Sequence, residues 1–248
     1  MVDFLGHDTG EQTLASALLR ALNPSLVPRP IGTDNLERTL HSGLVLKRRA
    51  GAPLVPARVP GLAKRSLDIG LALWLLATLW PLMLLAGLAV KLSGPGPILF
   101  TQIRAGQNGR PFTIYKFRSM RTEAAHQESV TAVGAVLRRT SFDELPQIFN
   151  VLRGEMSMVG PRPHVIDMHV AGQRYDDLVP HYAQRLTIRP GISGWAQVNG
   201  LRGVVADTDS AQARIDHDLA YLQNISLTLD IKIVWLTVTR EILRGTGR

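Results

Sequence analysis

Between Ile69 and Val90 the chain reads IGLALWLLATLWPLMLLAGLAV, 22 residues without a charge. As a helix this run rises about 33 Å, against a bilayer core of about 30 Å, so any fold must give it a lipid or protein environment along its whole length. Two features oppose a plain single span. Pro81 stands near the middle, where it removes a helical hydrogen bond and favours a bend. Both flanks are basic as well: no acid occurs between Arg38 and Leu67, where LKRRA, Arg58 and Lys64–Arg65 fall, and none occurs from Lys91 to Thr122. Cytoplasmic flanks carry the Lys and Arg excess, so both ends ask for the same side of the membrane. A re-entrant helix of about residues 67–91, bent at Pro81 and returning to the face it entered, satisfies both flanks; a plain span satisfies one.

The charge balance names the kind of partner. Lys and Arg number 28 against 20 Asp and Glu, a formal charge of +8, which suits nucleic acid, an acidic membrane surface or a phosphorylated substrate. Nucleic acid has no support beyond net charge, because no basic motif interleaved with aromatics is present. With 45% apolar and only 19% charged residues, part of the surface is expected to face lipid. The absence of cysteine excludes disulfides, thiolate metal sites and thiol catalysis. The opening MVDFLGHDTGEQ lacks the basic and apolar regions of a secretory signal, so the catalytic part is expected on the cytoplasmic side. Residues 1–63 read as an extension whose NPSLVPRP and GAPLVPARVPG stretches are Pro-rich linkers, expected to be partly disordered.

Beyond the apolar run, PILFTQIRAGQNGRPFTIYKFRSM predicts a β-hairpin turning at Asn108-Gly109, since both residues tolerate positive φ. Its second strand brings Lys116 and Arg118, two positions apart, to one face, as a solvated pair or as cations for a phosphate or head group. AVGAVLRRTSFDELPQIFNVLRG predicts two short helices joined at Thr140 and Ser141 and ended by Gly154. SAQARIDHDLAYLQN is a further helix, and SLTLDIKIVWLTVTREILRG another, apolar with Trp235 and terminal arginines, suited to a membrane interface. The residues by themselves read as α+β and mainly helical, with a re-entrant membrane helix bent at Pro81, a β-hairpin and a last helix suited to the interface.

In SFDELPQIFN, Ser141 and Glu144 match a capping box, and capping is the simplest reading of the pattern. A helix N-terminus also favours an ionised carboxylate. Asp143 beside a second acid able to hold Mg²⁺ therefore also suits a carboxylate nucleophile that attacks phosphorus. Arg162 in GPRP and Arg189 in IRPG are held by prolines; each motif alone reads as a turn, but together with KFRSM they favour a phosphate site. DTD at 207–209 precedes a helix and is assigned to capping rather than to a D-x-D metal site. His164, His169, His181 and His217 lack ligand spacing, and no Walker or G-x-G-x-x-G loop occurs.

Taken in order, KRSLDIGLAL, GPGPILFTQIRAGQNGRPFTIYKFRSM, TSFDELPQIFNVLRGEMSMVGPRP, IRPGISGWAQVNG and the ending RGTG resemble the bacterial sugar transferases, the monotopic phosphoglycosyl transferases, and among them the short exopolysaccharide-priming members. The resemblance covers about residues 64–248, with the catalytic portion at about 92–248, and leaves 1–63 outside. It implies transfer of a sugar 1-phosphate, galactose or glucose, from a UDP-sugar to undecaprenyl phosphate at the bacterial inner membrane, with release of UMP. It implies Asp143 as nucleophile, Glu144 as Mg²⁺ ligand, Arg162 as phosphate-binding residue, and Lys116, Arg118 and Arg189 as further substrate-binding cations. The implied architecture is a monotopic membrane protein with a Pro-broken re-entrant helix, interfacial helices and a small cytoplasmic catalytic domain. Pro81 is the implied helix break, preceded here by Trp80 where some relatives carry a small residue. Inner-membrane lipids are implied partners, a second copy of the chain is left open, and nucleic acid is not a partner. The opposing readings are a non-enzymatic membrane scaffold for polysaccharide assembly and a D-x-D glycosyltransferase.

Overall fold

The computed structural model describes residues 61–121, 130–170, 172–179, 181–203, 205 and 207–242, with two short strands at 36–39 and 45–48. Those two strands, β1 (Leu36–Thr39) and β2 (Val45–Arg48), pair antiparallel within the N-terminal extension. The Pro-rich stretches of that extension and the RGTG ending lie outside the described residues.

The apolar run is the centre of helix α1, Gly61–Leu92, 32 residues long; Pro81 lies inside it and helix continues on both sides. The helix is long and apolar enough to cross a membrane, and only 11% of its most apolar 18 residues are buried. A core helix of that hydropathy would be enclosed on all sides, whereas Leu73, Trp74, Trp80, Leu84, Leu85 and Leu88 are each more than half exposed. The opposite side of α1 packs on the protein from end to end. Ala72, with Leu71, Leu75 and Leu76, joins a core around Ile114, Ile148, Met156, Trp195 and Ile233, while Ala86 and Val90 join Phe117 and Leu137.

Both ends of α1 are tied down by polar contacts. Near its start, Lys64 is buried and donates to Asp230 Oδ2 (2.7 Å) and the Val159 carbonyl (3.0 Å). Asp230 also accepts from the Tyr221 hydroxyl at 2.6 Å, and Asp68 accepts from Ser157 Oγ (2.9 Å) and the Met158 amide (3.0 Å). Arg65 donates to the carbonyls of Val151 and Leu152. The cations read from sequence as a membrane-facing flank thus include two that point into the protein, because Asp230 and two helix-end carbonyls give them closer partners than a head group would. At the other end of α1, the buried Arg118 guanidinium donates to the carbonyls of Val90 (3.0 Å), Gly94 (2.7 Å) and Pro95, satisfying acceptors a helix end leaves open.

Next in the chain is the expected hairpin, β3 (Leu99–Ala105) antiparallel to β4 (Pro111–Phe117). Asn108 (φ 55°) and Gly109 (φ 73°) make the turn. Helix α2, Ala132–Thr140, is capped by Thr131 and ends at Ser141 in the left-handed region (φ 58°). A two-turn 3-10 segment, Phe142–Gln147, leads into α3, Ile148–Arg153, and Gly154 closes it at φ 85°. Asn150, fully buried on α3, accepts from the Tyr115 amide and donates to the Thr113 carbonyl (2.7 Å). One side chain thus fulfils the role of a neighbouring strand along the open edge of β4 and fixes that strand against α3.

Strand β5 (Ser157–Val159) is followed by a small antiparallel pair, β6 (His169–Val170) and β7 (Gln173–Arg174), and by helix α4 (Tyr175–Leu178). Strand β8 (Gly191–Ser193) returns to pair parallel with β5. The two chains approach so closely that a Cβ on Gly191 would lie 2.1 Å from the Gly160 amide nitrogen. Gly191→Ala is expected to cost about 2–3 kcal/mol by forcing those backbones apart, read as a lower denaturant midpoint at unchanged slope. Short α5 (Trp195–Val198) and long α6 (Thr208–Asn224) follow, and α6 completes the second core, in which Leu219 packs with Tyr175 and Val179. Asp207 caps α6 by accepting from the Ser210 amide at 2.7 Å, the role assigned to DTD. Helix α7, Leu227–Leu236, passes into a π-helical turn, Thr237–Ile242, and exposes Ile231 and Trp235.

Candidate active site

The 3-10 segment after Ser141 places Asp143 and Glu144 in its first turn, facing the hairpin. Glu144 is the more firmly held of the two. Its side chain is 12% exposed and accepts from Lys116 Nζ at 2.7 Å and from both terminal nitrogens of Arg162, at 2.5 and 3.2 Å. Burial alone would raise its pKa, but Arg162 and Lys116 outweigh burial and hold the carboxyl well below the usual range. Burial has the opposite outcome on Lys116, whose pKa is lowered despite the favourable Glu144 charge.

Asp143 is only 6% exposed, and its Oδ1 has no hydrogen-bond partner among the described residues. Burial, and then the Glu144 charge, push its pKa up to about 6, against smaller pulls from Lys116, Arg162 and Arg138. The helix-end argument expected the reverse, an Asp kept ionised by the turn. A six-residue 3-10 segment offers little dipole, and desolvation wins. The capping-box expectation also fails in its details: Ser141 makes no side-chain cap, its left-handed backbone instead ending α2, and the Glu144 amide bonds the Ser141 carbonyl at 3.2 Å. A buried acid with an orphaned oxygen and a raised pKa, next to an acid locked by two cations, is the pattern of a reactive centre.

The structure brings together four of the residues singled out from sequence: Asp143, Glu144, Lys116 and Arg162. Arg118 and Arg189 are placed elsewhere. β4 ends at Phe117, so Arg118 leaves the face Lys116 occupies and turns to the end of α1. Arg189 donates through Nε to the Gly154 carbonyl at 2.8 Å, tying its loop to the end of α3. Sequence reading missed Arg104. It is held by Gln102 Oε1 (2.5 Å) and the Pro163 carbonyl, and burial followed by the neighbouring Arg162 charge pulls it down to about 10. A signal was present: with the turn at Asn108-Gly109, Arg104 pairs with Phe112 and Lys116 with Phe100, so both cations share one face of the hairpin.

Arg162 is itself positioned from behind. Its carbonyl accepts from Arg185 Nη2 at 2.5 Å, and Arg185 Nε donates to the buried Asp218 at 2.8 Å. With its side chain 34% exposed, Arg162 is the most accessible of the cations on Glu144. Three cations around two carboxylates leave the site net positive, fitted to a phosphate or diphosphate. No group of three or more metal-type ligands occurs among the described residues. The Asp143–Glu144 pair, with one orphaned oxygen, still fits Mg²⁺, which is commonly held by one or two carboxylates together with substrate phosphates.

The sequence profile of the bacterial sugar transferases matches residues 59–244, so the chain belongs to that family. It is 46% identical over 194 residues to the exopolysaccharide production protein PSS of Rhizobium leguminosarum bv. phaseoli, covering 74% of this chain and 97% of that protein. It is 48% identical over 191 residues to the undecaprenyl-phosphate glucose phosphotransferase of Komagataeibacter xylinus, covering 73% of this chain. Identity is 47% over 195 residues to the UDP-glucose:undecaprenyl-phosphate glucose-1-phosphate transferase of Xanthomonas campestris pv. campestris, covering 75% of this chain. The matched region spans 36% and 40% of those last two proteins, less than half of each.

Proposed function

We propose that this protein is a phosphoglycosyl transferase that moves a sugar 1-phosphate from a UDP-sugar to undecaprenyl phosphate, the first membrane step of exopolysaccharide synthesis. The observation that carries the reading is Asp143: buried, with a free oxygen, beside a glutamate locked by Lys116 and Arg162. Asp143 attacks the phosphorus bearing the sugar; the bond from that phosphorus to the bridging oxygen breaks, and UMP leaves. An oxygen of the lipid phosphate then attacks the same phosphorus, the aspartyl–phosphate bond breaks, and the carboxylate is restored. Arg162 and Lys116 hold the diphosphate charge that would otherwise repel a carboxylate nucleophile, and Arg104 adds to the field. Glu144, beside Asp143, is the residue that would hold Mg²⁺, which would supply further neutralisation of the diphosphate when bound.

Placement at the inner membrane with the catalytic body on the cytoplasmic side, and a re-entrant course for α1, belong to the same proposal. Support comes from the two ends of α1, which are held by one body: Lys64, Arg65 and Asp68 at the start, and Arg118 on residues 90, 94 and 95 at the finish. Reporters placed before residue 61 and after residue 92 are expected on one face of the membrane; opposite faces would reject it.

The reaction is tested by UMP release with UDP-glucose, UDP-galactose and UDP-N-acetylhexosamines, with undecaprenyl phosphate as acceptor. Glucose or galactose is the expected donor sugar. Labelled UMP is expected to exchange into the UDP-sugar without any lipid, and strict dependence of that exchange on the lipid acceptor would reject the two-step route. EDTA is expected to stop exchange and Mg²⁺ to restore it. Exchange needs ionised Asp143, which burial raises to about 6 while the site is free of metal, so at limiting Mg²⁺ its kcat/KM is expected to rise with pH and level off, the rise moving to lower pH as Mg²⁺ saturates. Exchange that falls as pH rises from 5 to 7 would remove Asp143 as the nucleophile.

A further inference from the structure

Glu144 faces a second environment besides the cations. It lies on the wall of a cavity of about 170 Å³ formed between α1, the catalytic turn and the α7 end. Its apolar lining is Leu71, Leu75 and Leu79 of α1, Phe142, Leu145 and Ile148 of the catalytic segment, and Val234 and Val238 at the α7 end. The polar lining comes from Glu144, Thr140, Ser141 and Arg202, with Arg202 Nη1 3.4 Å from Ser141 Oγ, and from Ser193 and Thr237, whose hydroxyls bond each other. Trp74, 61% exposed on the outer side of α1, also contributes to the lining, so the cavity borders the surface that α1 presents to lipid.

We propose that this cavity is the specificity pocket for the first isoprene unit of the lipid acceptor, with the acceptor's phosphate at the Arg202 end; this rests on the transferase reading above. Volume, polarity and position agree. An apolar cavity of about 150 Å³ accommodates a six-carbon ring, so the space here holds one five-carbon isoprene unit and little more. The occupant is apolar along its length and anionic at one end, matching a pocket of aliphatic side chains with a guanidinium at the end that reaches Glu144. It arrives from the bilayer, and one wall is the membrane helix itself. A water-soluble nucleotide could use the guanidinium but not the aliphatic walls or the membrane-helix side, which separates this pocket from the cationic face of Lys116, Arg162 and Arg104. A pocket this tight reads shape next to the phosphate, so a planar unsaturated first unit is distinguished from a saturated, puckered one.

The test uses the full chain in lipid nanodiscs with two measurements: UMP exchange into UDP-sugar, which needs no lipid acceptor, and kcat/KM for undecaprenyl phosphate. Filling the pocket from either side, with Val234→Phe or Leu75→Phe, is expected to lower kcat/KM for the lipid at least tenfold and leave exchange within twofold. In the unaltered protein neryl phosphate, whose first unit has the Z geometry of undecaprenyl phosphate, is expected to inhibit the lipid step, whereas citronellyl phosphate, saturated in its first unit, and inorganic phosphate are expected to inhibit at least tenfold more weakly. Val234→Ala is expected to narrow the gap between the two isoprenyl phosphates. Unchanged lipid kinetics in both filled variants, or equal inhibition by neryl and inorganic phosphate, would overturn the assignment. Exchange missing from the unaltered protein would reject the aspartyl route, while the lipid kinetics and the isoprenyl competition still decide the pocket.

Discussion

Asp143→Asn is expected to abolish UMP exchange, by about four orders of magnitude or more on the scale of nucleophile removal in covalent enzymes, and at the same time to make the protein more stable. The two effects share one cause. Burial pushes Asp143 from the ordinary 3.8 up to about 6, so the folded protein binds a proton more tightly than the unfolded chain. The stabilisation is full below the unfolded value of 3.8 and is lost as pH rises through the folded value near 6. Above pH 6 the buried carboxylate is a liability of about 3 kcal/mol, since each pH unit separating the folded from the unfolded value is worth roughly 1.4 kcal/mol. Asparagine carries no charge, so in EDTA at about pH 7.5 the variant is expected to melt several degrees higher, and the gap to close as pH falls to about 4. A variant no more stable near neutral pH would show that the carboxylate is not desolvated as described. Retained exchange would show that Asp143 is not the nucleophile.

Lys64→Ala carries the largest expected loss of stability, about 3–5 kcal/mol, because it leaves Asp230 ionised and buried without its cation. For a chain of this size that is a fall of roughly 6–20 °C in the melting temperature. The Tyr221 hydroxyl still serves one oxygen of Asp230, so the double change Lys64→Ala with Asp230→Leu is expected to recover part of the loss. A single variant as stable as the unaltered protein would place Lys64 at the membrane surface, as a basic flank, rather than inside. The prediction bears on function because Lys64, Arg65 and Asp68 hold the start of α1, and α1 supplies one wall of the cavity beside Glu144.

Much of the site was legible in the chain because its parts are short-range. Asp143 and Glu144 are adjacent, and the Asn108-Gly109 turn sets a register that places Lys116. Arg162 stood out through its flanking prolines. What misled was also local. The S-x-x-E pattern looks the same whether the serine caps a helix or ends the preceding one, and the difference is the backbone angle at Ser141, φ 58°. KFRSM looks like a pair of cations on one strand face, and the difference is where β4 stops.

By itself the sequence determined the apolar helix, the hairpin, the short helices around the acidic pair and a basic chain in search of an anion, all consequences of residue type and spacing within a few turns. Tertiary structure alone decided which charges serve chemistry and which serve the fold. Lys64 and Asp230 are 166 residues apart, as Arg162 and Glu144 are 18 apart. Burial is a property of the assembled protein, and burial is what raises Asp143, lowers Lys116 and turns Arg118 from a candidate ligand into a tie on the end of α1.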